Sequence, residues 1–427
     1  MSLKIQIKEL VEQVDQSFRA VDYDWALFPA LAARHLAEFN GFDDLSLASL
    51  ASLVTDGCGA LQIDNSFSDL PLDLCRTPNF RAELLLWSNA TTSLHQHAFS
   101  GAFRVVRGGS IHTRYAFEEK QRINGDFQRG DLVQHGSESL AVGDIREIAP
   151  GRDGLIHSLY HLENPSITLV LRTAAHKEFG PQFDYFPPGL AFNRGVFTKD
   201  FELRSLIRLL SALKPLDPDL FAKTLIERGA SLDPSRLAWL FLMSPQLFDD
   251  PSLRDAFIKQ VRVKNNSLAD CLLDARTTRE AQSRLIGMRK VVKDADLRFF
   301  LALLMNVPDR NDFMRLVSLR YPKHDPAERC ASWLAQLSVD ETSAAEKMTE
   351  VARLLERSGI TGMPFSRQLR RCLPPGCRRD AARRIFETFI TEGNNPCSDA
   401  DHSNDALESM QAVQQLAVFR RTIGSDD

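Results

Sequence analysis

Along the first 65 or so residues apolar side chains recur every three or four positions. LKIQIKELVEQVDQSFRAV, LFPALAARHLAEF and DLSLASLASLV each place one apolar stripe on a helix. From about Phe67 the period shortens. AELLLW (82–87), SLHQHAF (93–99), AFRVVRG (102–108), SIHTRYAF (110–117), LIHSLYHLE (155–163) and SITLVLRT (166–173) are short apolar or alternating runs separated by Gly, Asn, Asp and Pro. Strands of this length with no helical stretch among them predict a sandwich or small barrel. Beyond Tyr185-Phe186-Pro187-Pro188-Gly189 the helical period returns and persists almost to the end, from FELRSLIRLLSAL to AAEKMTEVARLLERSG, with capping signals such as Leu-Asp-Pro-Ser at 232–235. The pattern predicts an α+β chain in three parts: an N-terminal helical segment (1–66), a β-barrel (67–195) and a C-terminal all-α domain (196–427).

Composition changes this picture little. A chain of 427 residues exceeds one compact core, which agrees with several domains. A charged fraction of 25% and a net charge of -4 give no general reason to expect nucleic acid or a membrane surface as partner. The N-terminus lacks the apolar run and cleavage site of a signal peptide, so a cytoplasmic location is expected. Seven scattered cysteines are then expected to stay reduced. An arginine cluster at 366–386 reads as a solvated helix face or a docking surface for an acidic protein, and the C-terminal helices offer a surface for a protein partner or self-association.

Histidine usage is more telling. Of ten histidines, those at 95, 97, 112, 135, 157, 161 and 176 fall in the β region. On a strand, residues i and i+2 share a face, so His95 and His97 present two imidazoles on one side, about 7 Å apart along the chain. A third ligand from a later strand would complete a metal site. His157 and His161 both qualify, lying on one face of LIHSLYHLE, with His157 taken first. His112 and His135 are expected on loops or the strand surface.

His95, His97 and Gly108, followed by Gly154, His157 and His161, resemble the two motifs of the cupin superfamily. Within it the stretches 84–119 and 157–173 are similar to the cysteine dioxygenase-like thiol dioxygenases. The glutamate that most cupins carry four or five residues after the second histidine is replaced by Gly101 and Ala102, as in that group. The resemblance covers about residues 70–185 and implies a cupin-type β-barrel (jelly roll) holding Fe(II), with Zn(II) or another divalent metal as the alternative. It implies O2 insertion at a thiol sulfur. Three neutral imidazoles would leave octahedral positions open for O2 and a chelating anion.

The chain also departs from that group. Ala102 stands where some members carry a cross-linking cysteine, and Arg172 falls near the position of the catalytic tyrosine, for which Tyr160, Tyr115 or Tyr185 could substitute. Arg76, with Arg81 as rival, and Arg172 are candidates to anchor a substrate anion, with His161 beside them; Glu147 or Glu163 could instead neutralise Arg172. The expected partners are a small anionic substrate, other than free cysteine, and O2. Two other classes stay open: a zinc-dependent hydrolase or lyase on the same histidines, and a non-catalytic cupin whose helical domain recruits a partner.

Overall fold

The computed structural model describes residues 3–42, 45–55, 67–88 and 92–337. Helices α1 (Leu3–Arg19), α2 (Phe28–Glu38) and α3 (Leu47–Thr55) come first. Among the described residues the strands that follow are β1 (Leu70–Arg76), β2 (Phe80–Trp87), β3 (Gly101–Arg107), β4 (Ser110–Asn124), β5 (Phe127–Leu140), β6 (Ile145–Ile148), β7 (Ile156–His161), β8 (Ser166–Thr173), β9 (Phe183–Phe186) and β10 (Leu190–Asn193). They form two five-stranded sheets in the orders β1-β2-β8-β3-β6 and β7-β4-β5-β10-β9. The chain is therefore α+β, as its periodicities predict.

The chain divides into two compact units, Met1–His135 with Ser139–Leu273, and Gly136–Glu138 with Asp274–Asp427. In the first unit, alternation along the strands decides what each face of the first sheet meets. Ala82, Leu84, Ala102, Ile167, Leu169 and Leu171 turn outward onto Val14, Phe18, Phe28 and Leu36 of α1 and α2, so the N-terminal helices share a core with this sheet. Arg104 reinforces the seat by donating to the Leu36 carbonyl near the end of α2 (3.0 Å), where helix carbonyls lack internal partners. The opposite face contributes Leu85, Trp87, Phe103, Val105 and Val170 to a second core, which Leu140 of β5 and Leu159 of β7 join. This second core lies between the two sheets. Strand β3 ends at Gly108, whose φ of +76° is the left-handed region that glycine enters without strain.

Later helices of this unit are α4 (Arg194–Phe197), α5 (Phe201–Leu216), α6 (Pro218–Thr224), α7 (Pro234–Met243) and α8 (Pro251–Lys264), and α9 (Asn266–Val291) begins in it and continues into the second unit. Asp217, Asp233 and Asp250 each precede a proline at the first helical position and accept backbone N–H groups of the first turn. Aspartate satisfies an orphan donor while proline has none to satisfy, which makes Asp-Pro a strong start signal. The second unit holds α10 (Ala295–Asn306), α11 (Arg310–Arg320) and α12 (Pro326–Leu337), packed around Phe299, Phe300 and Trp333. The arginine cluster at 366–386 and four of the cysteines (58, 372, 377 and 397) lie outside the described residues.

Candidate metal centre

The segment carrying His95 and His97 is not a regular strand, although its alternation reads as one. It is a short link bridged on both sides. His95 and His157 exchange both backbone hydrogen bonds at 3.0 Å, and on the other side Tyr185 N–H donates to Leu94 (2.8 Å) while Gln96 N–H donates to Phe183 (3.1 Å). His95 thus pairs with His157 of β7 and with Asp184 of β9. The i, i+2 relation still holds locally, and the rings of His95 and His97 meet edge-on with centroids 4.6 Å apart.

His95, His97 and His157 are 1%, 3% and 3% exposed, and each offers a ring nitrogen within 4.8 Å of the others. The Nε2 atoms of His97 and His157 are 3.0 Å apart. Donors bound at about 2.1 Å along perpendicular directions sit about 3.0 Å apart, against about 3.4 Å for tetrahedral directions. That pair sits at a separation compatible with two donors to one ion and equally with an N–H···N hydrogen bond. His95 Nδ1 lies 2.7 Å from the Ser93 carbonyl oxygen, which can only accept. The ring proton of His95 is thereby held on Nδ1, and its Nε2 lone pair is left buried without a hydrogen-bond partner among the described residues. A buried imidazole with its lone pair idle is what a metal ligand looks like without its ion.

Burial pushes all three rings below the ordinary imidazole range. For His157 the neighbours His95, His112 and His97 add to the effect, and for His97 so do His95 and Arg172. The donor set is therefore three neutral nitrogens, ready to bind a cation without first losing protons. Two rings cover it: Phe67 packs edge-on to His95 and Phe99 lies against His97, with centroids 5.5 and 4.7 Å apart.

Among the described residues no carboxylate joins the cluster, and packing excludes one at Gly101. At Gly101 an added Cβ would come within 2.3 Å of the Leu171 carbonyl oxygen and 3.0 Å of Arg172 Cα and Cβ. The neighbouring Ala102 is fully buried on the opposite face, against the N-terminal helices. Neither position can send an acid toward the histidines without moving β8.

The arginines expected to anchor an anion come together in one row. Cross-strand register runs Arg76 to Arg81, Arg81 to Arg172 and Arg172 to Gly101. Asp73 and Glu83 form the next row on the same face. Arg172 donates to Glu83 through Nε (2.5 Å) and Nη2 (2.9 Å), Arg81 approaches Glu83 at 3.4 Å, and Arg76 pairs with Asp73 at 2.6 Å. Three guanidiniums thus share two carboxylates. The partner of Arg172 is not Glu147 or Glu163. Glu147 is exposed and Glu163 accepts from the Gly109 backbone N–H (2.5 Å). The Arg172 guanidinium also lies 4.6 Å from the centre of the Phe99 ring, so Phe99 touches both it and His97.

The phenols read as substitutes for a catalytic tyrosine are elsewhere. Unbroken register between β4 and β7 puts Tyr160 and Tyr115 on the face of the sheet opposite His157. Tyr185 belongs with Tyr115 to the cluster of Leu94, Phe117 and Ile156 on that face. His161 shares the face of His157, but deeper: its ring stacks on Trp87 (4.5 Å, 16°) and its Nδ1 meets Ser110 Oγ at 2.9 Å. The convergent set therefore uses His157, and His161 is not among its three members. His135 is exposed on β5 as expected. His112 is not a surface residue. It is fully buried, with Nε2 2.9 Å from His157 Nδ1. The sequence signal for it was the same period of two: His112 sits two residues after Ser110, on the face of β4 that meets His157 and His161.

No protein-family model and no curated protein matches the chain. Solved structures it is similar to include one from a study of the DMSP lyases RdDddP and RnDddQII (15% identity, TM-score 0.24, covering 41% of this chain and 94% of that one). Another is DMSP lyase DddQ from Ruegeria pomeroyi DSS-3 (15% identity, TM-score 0.22, covering 40% and 93%).

Proposed function

We propose that the chain is a metal-dependent enzyme on a cupin-type jelly roll, in which His95, His97 and His157 hold one divalent ion, Fe(II) by preference, and a small anionic thiol is oxidised with O2. The observation that carries the metal reading is the buried, neutral, carboxylate-free set of three imidazoles, with the His95 lone pair idle and the His97 and His157 Nε2 atoms 3.0 Å apart. The ion, when bound, would supply Lewis acidity, a lowered thiol pKa and coordination positions for thiolate and O2.

The chain's own residues supply the rest. The Ser93 carbonyl fixes the ring orientation of His95. Phe67 and Phe99 exclude water from the histidines, which strengthens every electrostatic interaction there. The row Arg76, Arg81, Arg172 keeps an excess of positive charge over Asp73 and Glu83, which favours an anionic substrate.

Metal analysis of protein purified without added metal, followed by O2 uptake with a panel of anionic thiols, tests this. One iron per chain and O2 consumption with an anionic thiol support it. Absence of any bound divalent ion refutes the metal site. Zinc in place of iron, with no O2 uptake, would move the assignment to hydrolytic or lyase chemistry on the same ligands.

A further inference from the structure

We infer that His112 is the positioning residue for His157: it accepts the Nδ1–H of that ring and so fixes both the tautomer and the plane in which His157 Nε2 presents its lone pair. The inference rests on the metal reading above and deepens it. The two rings are diagonal neighbours on adjacent strands, since His112 pairs with Leu159 and Arg114 pairs with His157. His112 Nε2 and His157 Nδ1 are 2.9 Å apart, the rings are perpendicular, and Phe103 lies 6.2 Å from one and 6.3 Å from the other.

One proton serves that contact, and the rest of the site says which ring carries it. His157 Nε2 faces His97 Nε2 at 3.0 Å, so a lone pair is needed there for both to ligate. A neutral imidazole with a lone pair on Nε2 has its proton on Nδ1. His157 is then the donor, and His112 must offer a lone pair on its own Nε2, with its proton on Nδ1. His95 solves the same problem differently, with the Ser93 carbonyl as acceptor. For His97, Nδ1 is buried without a partner among the described residues, and the ring lies against the tilted ring of Phe99. Three ligands thus have three different orienting contacts, and that of His157 is a hydrogen bond to a side chain, which substitution can remove. Using a neutral acceptor rather than a carboxylate also leaves the set without negative charge, which keeps an incoming cation electrophilic.

Two measurements test this. In zinc-loaded wild-type protein, long-range proton–nitrogen correlation spectra of the imidazoles should show His112 and His157 both protonated at Nδ1. Protonation of His112 at Nε2 overturns the inference, and needs no variant. The second compares His112→Leu with His112→Gln, whose carboxamide oxygen can reach the position of the lost nitrogen. Zinc affinity, measured by chelator competition, should fall about 10- to 100-fold in His112→Leu and stay within about 3-fold of wild type in His112→Gln. Equal affinity in all three proteins overturns it, as does an equal loss in both variants, which would mark His112 as a packing residue. Wild-type protein that binds no divalent ion would instead defeat the metal reading, so the two failures are distinguishable.

Discussion

Removing either partner of the Arg172–Glu83 pair should destabilise the β region, and the two losses should be unequal. Glu83 is 3% and Arg172 14% exposed, and two hydrogen bonds join them. Breaking one side of a buried pair strands a charge and costs about 3–5 kcal/mol. The neighbours decide where in that range each variant falls. In Arg172→Met the carboxylate keeps Arg81 as a counter-ion at 3.4 Å, so the cost sits near the lower end. In Glu83→Gln, Arg81 and Arg172 are left side by side with no acid between them, and burial together with the Arg172 charge already pushes Arg81 below its ordinary range. That cost sits near the upper end. At about 2–4 °C per kcal/mol for a unit of this size, the drops in melting temperature are roughly 6 to 20 °C. Differential scanning calorimetry of the two single variants and the double variant reads both the order and the coupling, and the double should lose about 1–3 kcal/mol less than the sum of the singles. Arg172→Met proving more harmful than Glu83→Gln, or additive losses in the double, would refute the shared-carboxylate arrangement.

Other consequences follow from the same geometry. His95→Ala, His97→Ala and His157→Ala should each strip the metal with little change in far-UV circular dichroism, whereas His161→Ala should keep the metal and lose stability through its lost stacking on Trp87; metal retention in the first three is the contrary result. Burial lowers His95, His97 and His157 below 6.5, so below that pH the unfolded chain takes up protons that the folded chain refuses. Stability of metal-free protein, measured by denaturant titration, should therefore be flat above pH 6.5 and fall on acidification by up to about 1.4 kcal/mol per pH unit per histidine. Gly101→Ala should destabilise by about 1–3 kcal/mol through the 2.3 Å clash with the Leu171 carbonyl, and unchanged melting would show that β8 yields freely.

Local pattern made much of this legible and topology withheld the rest. The helix stripes, the Asp-Pro starts and the switch to strand period depend on neighbours in sequence, and so does the pairing of His95 with His97. Strands β1 and β5 escaped notice because LPLDLCR carries a proline and FQRGDLVQHGSESL is mostly polar, though both find partners once the sheets form. Glu83 sat in plain view within AELLLW, yet its claim on Arg172 spans 89 residues of chain and depends on β2 pairing with β8. The burial of His112 escapes local pattern for the same reason. Its burial is not set by β4 alone but by the face that β7 and the first sheet cover.

The bridged link at Leu94–Gln96 also bears on solubility. Strands β7 and β9 stand at the two ends of their sheet order, and such ends carry rows of unpaired N–H and C=O groups that recruit other chains. Here one short segment satisfies both, giving hydrogen bonds to His157 on one side and to Phe183 and Tyr185 on the other. Detaching it would bare two adhesive borders at once. Conditions that loosen this link, such as strong chelation or mild acid, should therefore promote self-association through backbone pairing before the helices melt, and a disulfide or proline that stiffens the link should suppress that association.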